Sequence, residues 1–508
     1  MMELGRIVGR NVTEAKFRCP YGEYLALGEI VVVEDAETAE PYYLRVFNVT
    51  YGAEASGDDW FERTAGHMLA MDGAEMEYGF ADKERRLYKL ASASVLGVLR
   101  DGNFRRAKGL VAHFSGVRRA RDADFEFLPS ETLTVGRWRS GDEPLPHRVG
   151  LAPEALPYHI GIFATTGMGK SNLLKCFCAS ALESGQAGLL VLDPHGEYFD
   201  GGVPDRRGLV HHPRADRLAV YSSRPLSGNY SQLRLSASEV EVRDLLHLYE
   251  FSGPQREALN AARQRYQRNW LVELNERNAE QVSEELHGEF HPGTIGVIKR
   301  RLRYLWQFDL LSGDPGVTAS EAIIAHLDAG KVVLVDTSNM FETEELLVSM
   351  VLARAVFESH KAKYARPKEF AKLPPVLVTL EESQRLLSET RGNVFAQIAR
   401  EGRKFRVGLC AVSQQPKLLH SEVLSQFNTL FVMGLADRRD RESLQASAKQ
   451  DLSRLDMEIQ TLAAGEAILT SPHVPFALPV AVDLYEDYLQ ALPPPEEQPQ
   501  RASDDGFF

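Results

Sequence analysis

Between positions 164 and 171 the chain reads Ala-Thr-Thr-Gly-Met-Gly-Lys-Ser. Small residues in such a run let backbone N–H groups turn inward around a phosphate. A lysine at the seventh position adds a cationic donor to the β- and γ-phosphates, and the hydroxyl of the next residue ligates magnesium. The pattern is that of a phosphate-binding loop, with Ala164 in place of the usual glycine. It predicts contacts with ATP from Thr165, Thr166, Gly167, Met168, Gly169, Lys170, Ser171 and Asn172.

The flanking residues have the periodicities that such a loop requires. Residues 159 to 163 form an apolar run typical of a buried strand, and residues 172 to 182 have helical spacing. A helix that begins directly after the loop directs its N-terminal N–H groups and its dipole at the anion. We therefore expect a strand, a phosphate loop and a helix in succession, with Lys170 also acting in catalysis.

A second apolar run ends in two carboxylates. Residues 376 to 380 read Val-Leu-Val-Thr-Leu and are followed by Glu381 and Glu382. The carboxyl edge of a parallel sheet is where ligands bind in open α/β folds. We predict that Glu381, at a position where aspartate is more usual, holds Mg²⁺ through water, and that Glu382 polarises the attacking water as a general base.

A polar turn follows the next predicted strand, residues 407 to 412. It reads Ser-Gln-Gln-Pro from 413 to 416. An amide at Gln414 can sense the γ-phosphate or orient the water, and the alternative is a glutamine-rich surface turn. Just before this strand, Arg400 and Arg403 could reach the γ-phosphate of a neighbouring subunit as an arginine finger. The alternative is a solvent-facing helix end, where cations complement the helix dipole. The same two alternatives apply to Arg438, Arg439 and Arg441.

Three ionisable residues follow the strand predicted over 188 to 192. The sequence Asp193-Pro194-His195-Gly196-Glu197-Tyr198 places Asp193, His195 and Glu197 near the nucleotide edge. A metal triad is conceivable, but the spacing matches no standard zinc motif. We favour a role in positioning or coupling beside the nucleotide.

Composition limits the class of protein. With 508 residues, 44% of them hydrophobic and 25% charged, the chain is expected to form two or three globular domains. No apolar run approaches the roughly 18 residues of a membrane span, and no secretory signal is evident, so we expect no membrane contact. Four cysteines without metal-binding spacing are typical of reduced thiols, which predicts a cytoplasmic protein.

The net charge of −13 argues against a positively charged coat that binds nucleic acid everywhere. It still allows a narrow basic channel, because phosphate contact depends on local charge. Basic clusters occur at 299–303, at 400–406 and between 83 and 121, although each is also typical of a solvated helix face.

Changes of pattern along the chain predict five segments. We expect an N-terminal small β-barrel and a RecA-like α/β domain interrupted by a helical insertion. The tail is rich in proline and acidic residues and is expected to be disordered. The predicted bounds are 1–147 for the barrel, 148–235 and 316–485 for the two parts of the α/β core, 236–315 for the insertion and 486–508 for the tail.

Taken together, the motifs resemble the HerA–FtsK branch of P-loop motor ATPases, and HerA proteins in particular. The resemblance covers residues 1 to about 485 and includes the β segment that begins Gly5-Arg6-Ile7-Val8-Gly9, which looks like that family's barrel. Its matching pieces are the loop 165–171, the motif 193–198, the pair Glu381-Glu382, the stretch 400–404 and the turn 413–416.

The resemblance implies an ATP-driven hexameric ring that pumps double-stranded DNA and works with a NurA-like nuclease in end resection and recombinational repair. It also implies that Lys170, Ser171, Glu381 and Glu382 act within one subunit and that Arg403, or else Arg400, reaches in from a neighbour. A conjugative coupling or segregation motor is an alternative, although those usually carry N-terminal membrane helices. Another is a nucleotide-gated scaffold for a nuclease or anti-phage effector with little translocation. The size, insertion and barrel disfavour a small-molecule kinase.

Overall fold

The computed structural model describes residues 3–54, 87–128, 132–306, 310–314, 319–388 and 393–492, together with 62, 65 and 316. Packing divides the chain into two compact units. The first, which we call the barrel unit, contains 1–131, 136–149 and 428–482. The second, the sheet unit, contains 132–135, 150–427 and 483–508. Neither unit is a single continuous stretch of chain.

The barrel unit begins with seven strands, six of which close into a barrel. They are β1 (Gly5–Arg10), β2 (Glu14–Pro20), β3 (Ile30–Glu34), β4 (Pro41–Ala53), β5 (Leu87–Arg100), β6 (Asn103–Arg105) and β7 (Gly116–Arg119). Neighbours run in the order β2-β1-β7-β3-β4-β5, and β5 pairs back with β2, while β6 extends the ladder beyond β5. Register shifts between Tyr43 and Leu44 and between Val46 and Asn48 bend the long pair β4–β5, as closure requires. The predicted barrel is confirmed.

Alternating apolar residues fill the barrel. Ile7, Phe17, Val31, Leu44 and Val117, contributed by different strands, are fully buried in one cluster. The apolar face of each strand points into the barrel, and closure of the sheet leaves no strand edge exposed. Two more strands follow, β8 (Leu133–Ser140) and β9 (Glu143–Leu151).

The sheet unit contains seven parallel strands with two further short ones. They are β10 (Ile160–Phe163), β11 (Gly188–Asp193), β12 (Leu218–Ser222), β13 (Ser231–Gln232), β14 (Leu235–Ser236), β15 (Leu311–Ser312), β16 (Val332–Asp336), β17 (Val376–Leu380) and β18 (Val407–Ser413). The parallel sheet has the order β13-β12-β16-β11-β17-β18-β10. Its inner strands β11, β16 and β17 are buried throughout and, apart from Asp193, Asp336 and Thr379, apolar, as expected for strands covered on both faces. The predicted α/β architecture is confirmed.

Helices connect these strands and cover the sheet. They are α1 (Lys170–Ser184), α2 (Val242–Leu248), α3 (Gly253–Tyr266), α4 (Trp270–Glu276), α5 (Ala279–Glu285), α6 (Pro292–Leu302), α7 (Ala319–Asp328), α8 (Glu342–Lys363), α9 (Pro367–Phe370), α10 (Gln384–Leu387), α11 (Val394–Glu401) and α12 (Ser421–Leu424). The helix that follows the phosphate loop, α1, begins after Gly169 and ends at Gly185, both in the left-handed region. Glycine occupies that region at no steric cost, so the two residues fix the ends of the helix.

Helices α2 to α6 all lie between β14 and β15. These two strands pair in parallel, Leu235 with Leu311 and Ser236 with Ser312, and so bring the two ends of the helical segment together. Asp244 of α2 accepts two hydrogen bonds from Arg354 of α8, at 2.7 and 3.1 Å, in a buried ion pair. The helical segment is thus joined to the rest of the sheet unit by the β14–β15 pair and by the ion pair of helix α2 with α8.

The last part of the barrel unit is an antiparallel sheet with two helices, and a final helix belongs to the sheet unit. These elements are β19 (Thr429–Val432), α13 (Arg438–Ser447), α14 (Asp456–Thr461), β20 (Glu466–Thr470), β21 (Leu478–Val482) and α15 (Tyr485–Ala491). Strands β19, β20, β21 and β8 pair in that order. Helix α15 occupies the start of the segment predicted as a tail, and 493–508 lie outside the described residues. No helix in the described part of the chain is long and apolar enough to cross a membrane.

Candidate functional site

A cavity of about 430 Å³ opens in the sheet unit, beside the residues that follow β10, β11, β17 and β18. The carboxyl ends of neighbouring parallel strands meet there, which is the usual ligand position in this architecture. The cavity is lined by Thr166, Gly167, Gly169, Lys170, Ser171, Asn172, Lys175, His195, Glu197, Arg206, Glu381, Glu382, Gln414, Leu484, Tyr485 and Glu486. Four predicted motifs far apart in sequence therefore share one cavity.

The phosphate loop has the backbone that its sequence predicts. Gly167 and Gly169 have φ angles of 83° and 100°, which a residue with a Cβ adopts only under strain. The Lys170 ammonium group donates hydrogen bonds to the carbonyl oxygens of Ala164, at 3.1 Å, and Thr165, at 3.3 Å. Burial lowers the pKa of Lys170, and the nearby Glu381 and Glu382 carboxylates act in the opposite direction. A cation thus lies between the loop and the acidic pair.

Two amide side chains hold the carboxylate of Glu382. Gln384 donates to Oε2 at 2.6 Å, and Gln414 donates to Oε1 at 3.1 Å. The oxygen of Gln414 in turn accepts a hydrogen bond from Thr166 of the phosphate loop at 2.5 Å. Glu382 also has φ of 46°, a left-handed conformation that is uncommon for glutamate. The carboxylate is fixed at the cavity and linked to the loop.

The carboxyl group of Glu381 lies in a different environment. Its Oε1 accepts a hydrogen bond from the hydroxyl of Tyr198, a residue of the 193–198 motif. Burial raises the pKa of Glu381 to about 7, although the hydrogen bond from Tyr198 acts to lower the pKa. Charge from a bound cation would offset that cost of burial, because an opposite charge favours the ionised form.

The 193–198 motif is a turn organised by one carboxylate. Asp193 is buried, and its oxygens accept backbone hydrogen bonds from His195, Gly196, Glu197 and Tyr198 at 2.7 to 3.3 Å. The side chain of Asp193 does not line the cavity, whereas His195 and Glu197 do. Burial raises the pKa of Asp193, and the backbone hydrogen bonds oppose that shift. A positioning or coupling role for the motif stays a prediction.

The oxygen donors at the cavity suit Mg²⁺ that arrives with a nucleotide. Ser171 contributes a hydroxyl and Glu381 a carboxylate, and Mg²⁺ takes few protein ligands when phosphates supply the rest. Among the described residues, no group of three or more His, Cys, Asp and Glu side chains could hold a metal ion alone. The residues therefore fit a phosphate-bound Mg²⁺ better than a metal triad built from Asp193, His195 and Glu197.

Three residues of the loop segment predicted to contact the nucleotide either do not line the cavity or form hydrogen bonds with other parts of the protein. Thr165 and Met168 are not among the lining residues. Asn172 lines the cavity, but its amide nitrogen donates to the Asp483 carbonyl at 2.8 Å and its oxygen accepts from the Tyr485 N–H at 2.9 Å. Asn172 thereby holds the segment before α15 against the phosphate-loop helix.

The predicted finger arginines do not line the cavity of their own chain. Arg403 is exposed, and its guanidinium carbon lies 4.2 Å from the centroid of the Tyr158 ring. Arg400 pairs with Glu422 at 3.6 Å, where both side chains are largely exposed. Of the other candidates, Arg441 is buried in a hydrogen-bonded pair with Asp456, which gives it a structural role.

Several cavity residues were not predicted from the sequence. Lys175, one turn along α1, is 4% exposed, and burial lowers its pKa. Arg206, Leu484, Tyr485 and Glu486 come from segments without a recognisable motif. Helical spacing from Ser171 could have indicated Lys175, since residues four apart lie on one helix face. No sequence signal indicated the others.

The parallel sheet, the loop between β10 and α1 and the acidic pair after β17 define a P-loop ATPase. Residues 133–356 match the family model described as the central domain of the helicase HerA. The DNA double-strand break repair helicase HerA of Pyrococcus furiosus is 26% identical over 376 residues, 65% of this chain and 66% of that protein. The HerA proteins of Saccharolobus solfataricus and Sulfurisphaera tokodaii are 26% and 27% identical, each over 74% of both chains. The chain is thus similar to HerA helicases over about two thirds to three quarters of its length.

Two solved structures overlap in part with this one. The plasmid coupling protein TrwB with ADP and Mg²⁺ has a TM-score of 0.48 and 13% identity, covering 72% of this chain and 93% of TrwB. VirB4 of Thermoanaerobacter pseudethanolicus has a TM-score of 0.47 and 14% identity, covering 70% of this chain and 97% of VirB4.

Proposed function

We propose that this protein hydrolyses ATP with Mg²⁺ to move double-stranded DNA. The observation that carries the proposal is the link from Thr166 through Gln414 to Glu382, which joins the phosphate loop to the predicted general base. A γ-phosphate placed at the loop would lie beside both groups. Such a link gives the chain a means to align the attacking water beside a phosphate bound at the loop.

The predicted site residues that line the cavity have separate roles in this scheme. Lys170 would neutralise phosphate charge, and Ser171 and Glu381 would hold Mg²⁺, which would supply further charge neutralisation for the nucleotide. Glu382 accepts the proton of the attacking water, with its orientation fixed by Gln384 and Gln414. His195 and Glu197, held by the turn around Asp193, connect the cavity to the end of β11.

Among the described residues, the Lys and Arg side chains that line the cavity are Lys170, Lys175 and Arg206, and neither predicted finger arginine is one of them. An arginine that stabilises the transferred phosphate would then come from another subunit. We propose that it is Arg403, or else Arg400, of a neighbouring subunit, which calls for a closed ring, and six subunits are the number implied by the family. The exposure of both arginines supports this assignment because each is accessible to a second copy of the chain.

The relatives named as DNA double-strand break repair helicases support DNA as the substrate. We extend the proposal to end resection with a NurA-like nuclease in recombinational repair, as the resemblance implies. DNA held inside a ring also accommodates the net charge of −13, because only the channel needs to be basic. Affinity for DNA should then fall steeply with added salt.

The direct test is the ATPase rate of the full chain with and without linear double-stranded DNA. A motor should be stimulated by DNA, and a Glu382→Gln variant should bind nucleotide but lose the stimulated rate. Displacement of a protein obstacle bound to the DNA would then report movement. Hydrolysis that ignores DNA and displaces nothing would favour the nucleotide-gated scaffold, and the assay would be repeated with a candidate nuclease.

A further inference from the structure

Tyr198 lies against the acidic pair with 1% of its surface exposed. Its hydroxyl donates to Oε1 of Glu381, while Oε2 of Glu381 has no hydrogen-bond partner among the described residues. Glu381 lines the cavity and Tyr198 does not. The phenol therefore contacts the carboxylate from the protein side and leaves one oxygen for the cavity.

The sheet register brings these two residues together. Leu192 of β11 pairs with Leu380 of β17, so Asp193 and Glu381 follow at adjacent strand ends. Two neighbouring carboxylates would repel each other, but the oxygens of Asp193 accept backbone N–H groups of the turn, including that of Tyr198 at 3.0 Å. The turn reverses the chain so that the Tyr198 side chain returns to Glu381.

We propose that Tyr198 is a positioning residue that orients the Glu381 carboxylate for Mg²⁺ bound with a nucleotide. The proposal deepens the proposed function, since it rests on Glu381 as a magnesium ligand. A glutamate side chain has several rotatable bonds, and a buried donor that fixes one oxygen limits the positions of the other. Groups that orient a metal ligand typically affect metal affinity or activity by about 10- to 100-fold.

A buried tyrosine needs a hydrogen-bond partner in any case, so the hydroxyl could simply be satisfied by Glu381 without effect on the site. The variant that separates these explanations is Tyr198→Phe, which keeps the ring and removes the donor. Tyr221→Phe is the matched control, because Tyr221 is a buried tyrosine of the same sheet that packs near His326 and does not line the cavity.

The measurement is the affinity for a fluorescent ADP analogue in a titration with Mg²⁺ and in EDTA, together with the melting temperature. We expect Tyr198→Phe to raise the half-saturating Mg²⁺ concentration about 10-fold. Affinity in EDTA and the melting temperature should stay close to those of the control variant. An unchanged Mg²⁺ titration would overturn the proposal, as would equal losses of affinity with and without Mg²⁺.

A double variant tests whether Tyr198 acts through Glu381. In a Glu381→Gln background, Tyr198→Phe should cause no further change in Mg²⁺ dependence, because the effects of coupled residues are not additive. Additive losses would contradict the mechanism. Failure of this inference can be told apart from failure of the proposed function. If Mg²⁺ binding depends on Tyr198 but DNA does not stimulate hydrolysis, only the proposed function fails. If DNA stimulates hydrolysis but Mg²⁺ binding does not depend on Tyr198, only this inference fails.

Discussion

The side chain of Gln414 spans the gap between the phosphate loop and Glu382, with its oxygen 2.5 Å from Thr166 Oγ1 and its nitrogen 3.1 Å from Glu382 Oε1. Both ends of a single amide are thereby used. A substitution of Gln414 would remove both contacts but leave the phosphate loop and Glu382 in place. The link between them can therefore be tested without removing a group predicted to bind the phosphates.

We predict that Gln414→Ala lowers kcat by about 100-fold with little change in KM for ATP. The reason is that a misaligned general base loses a contribution of about 10²- to 10⁴-fold, while the loop still binds phosphate. Steady-state ATPase kinetics check this. Gln415→Ala, at the exposed neighbouring position outside the cavity, is the control and should behave as the unmodified protein. A change confined to KM would contradict the assigned role.

We predict that Arg403→Ala lowers kcat by about 10³-fold or more, since an arginine finger contributes about 10³ to 10⁵ in rate. If the finger acts between subunits, mixing the inactive Arg403→Ala and Lys170→Ala proteins should restore activity at the mixed interfaces. Arg400→Ala, which removes a partner of exposed Glu422, should have a smaller effect. Subunit exchange between the two proteins must first be verified. If the mixture then shows no ATPase activity, Arg403 acts within its own subunit or has no part in catalysis.

Loss of either partner of the buried Arg45–Glu458 pair should destabilise the barrel unit. Arg45 is 1% exposed and donates two hydrogen bonds to Glu458, at 2.6 and 2.9 Å, and a third to the Ala477 carbonyl. Arg139 also donates a hydrogen bond to Glu458 at 3.1 Å, so that carboxylate keeps one cationic partner when Arg45 is lost. Loss of Arg45 still removes three buried hydrogen bonds, and its cost should approach about 3 to 5 kcal/mol, which is typical of breaking a buried pair. Arg45→Met should therefore lower the melting temperature strongly. Arg6→Met, which breaks the exposed pair with Glu3, should cost below about 1 kcal/mol.

Stability of the sheet unit should fall in mild acid because of His159. Burial lowers the pKa of His159 from 6.5 to about 4, and its Nδ1 accepts a hydrogen bond from the Leu409 N–H at 3.0 Å. The unfolded chain takes up the proton first, so stability is full above about pH 6.5 and is lost as pH falls toward 4, by up to about 3 kcal/mol.

Melting temperatures measured from pH 7.5 to 4.5 check this dependence. His159→Asn should flatten the curve, since an asparagine side chain does not titrate. His287→Asn, at an exposed position with φ of 61°, is the matched control and should leave the pH dependence unchanged. Equal slopes for the unmodified protein and His159→Asn would contradict the account.

Local patterns were sufficient to predict the fold class and the loop. A buried parallel strand needs a short apolar run, and the phosphate loop needs small residues at fixed spacing, so both can be read from neighbouring residues. The strand that was predicted to begin at His159 begins one residue later, because the φ of 64° at His159 lies outside the range of a β-strand. The roles assigned to the site residues stay predictions.

Contacts between distant residues could not be predicted in this way. Asn172 was expected to bind nucleotide, yet its amide holds Tyr485, 313 residues away. The pair Arg45–Glu458 joins residues 413 apart, and nothing in the sequence indicated that 428–482 packs with the barrel. Tyr198 belongs to a motif that was recognised, but its contact with Glu381 depends on the order of the strands. Contacts between residues so far apart in sequence depend on tertiary packing, which the spacing of residues within a motif does not indicate.

The central claim is that DNA controls hydrolysis at the cavity between Lys170 and Glu382. The most direct measurement is the ATPase rate with and without linear double-stranded DNA, for the unmodified chain and for Glu382→Gln. We predict stimulation by DNA in the unmodified chain and its loss in the variant, with nucleotide binding retained. A rate that is the same with and without DNA, or a Glu382→Gln protein that hydrolyses ATP normally, would contradict it.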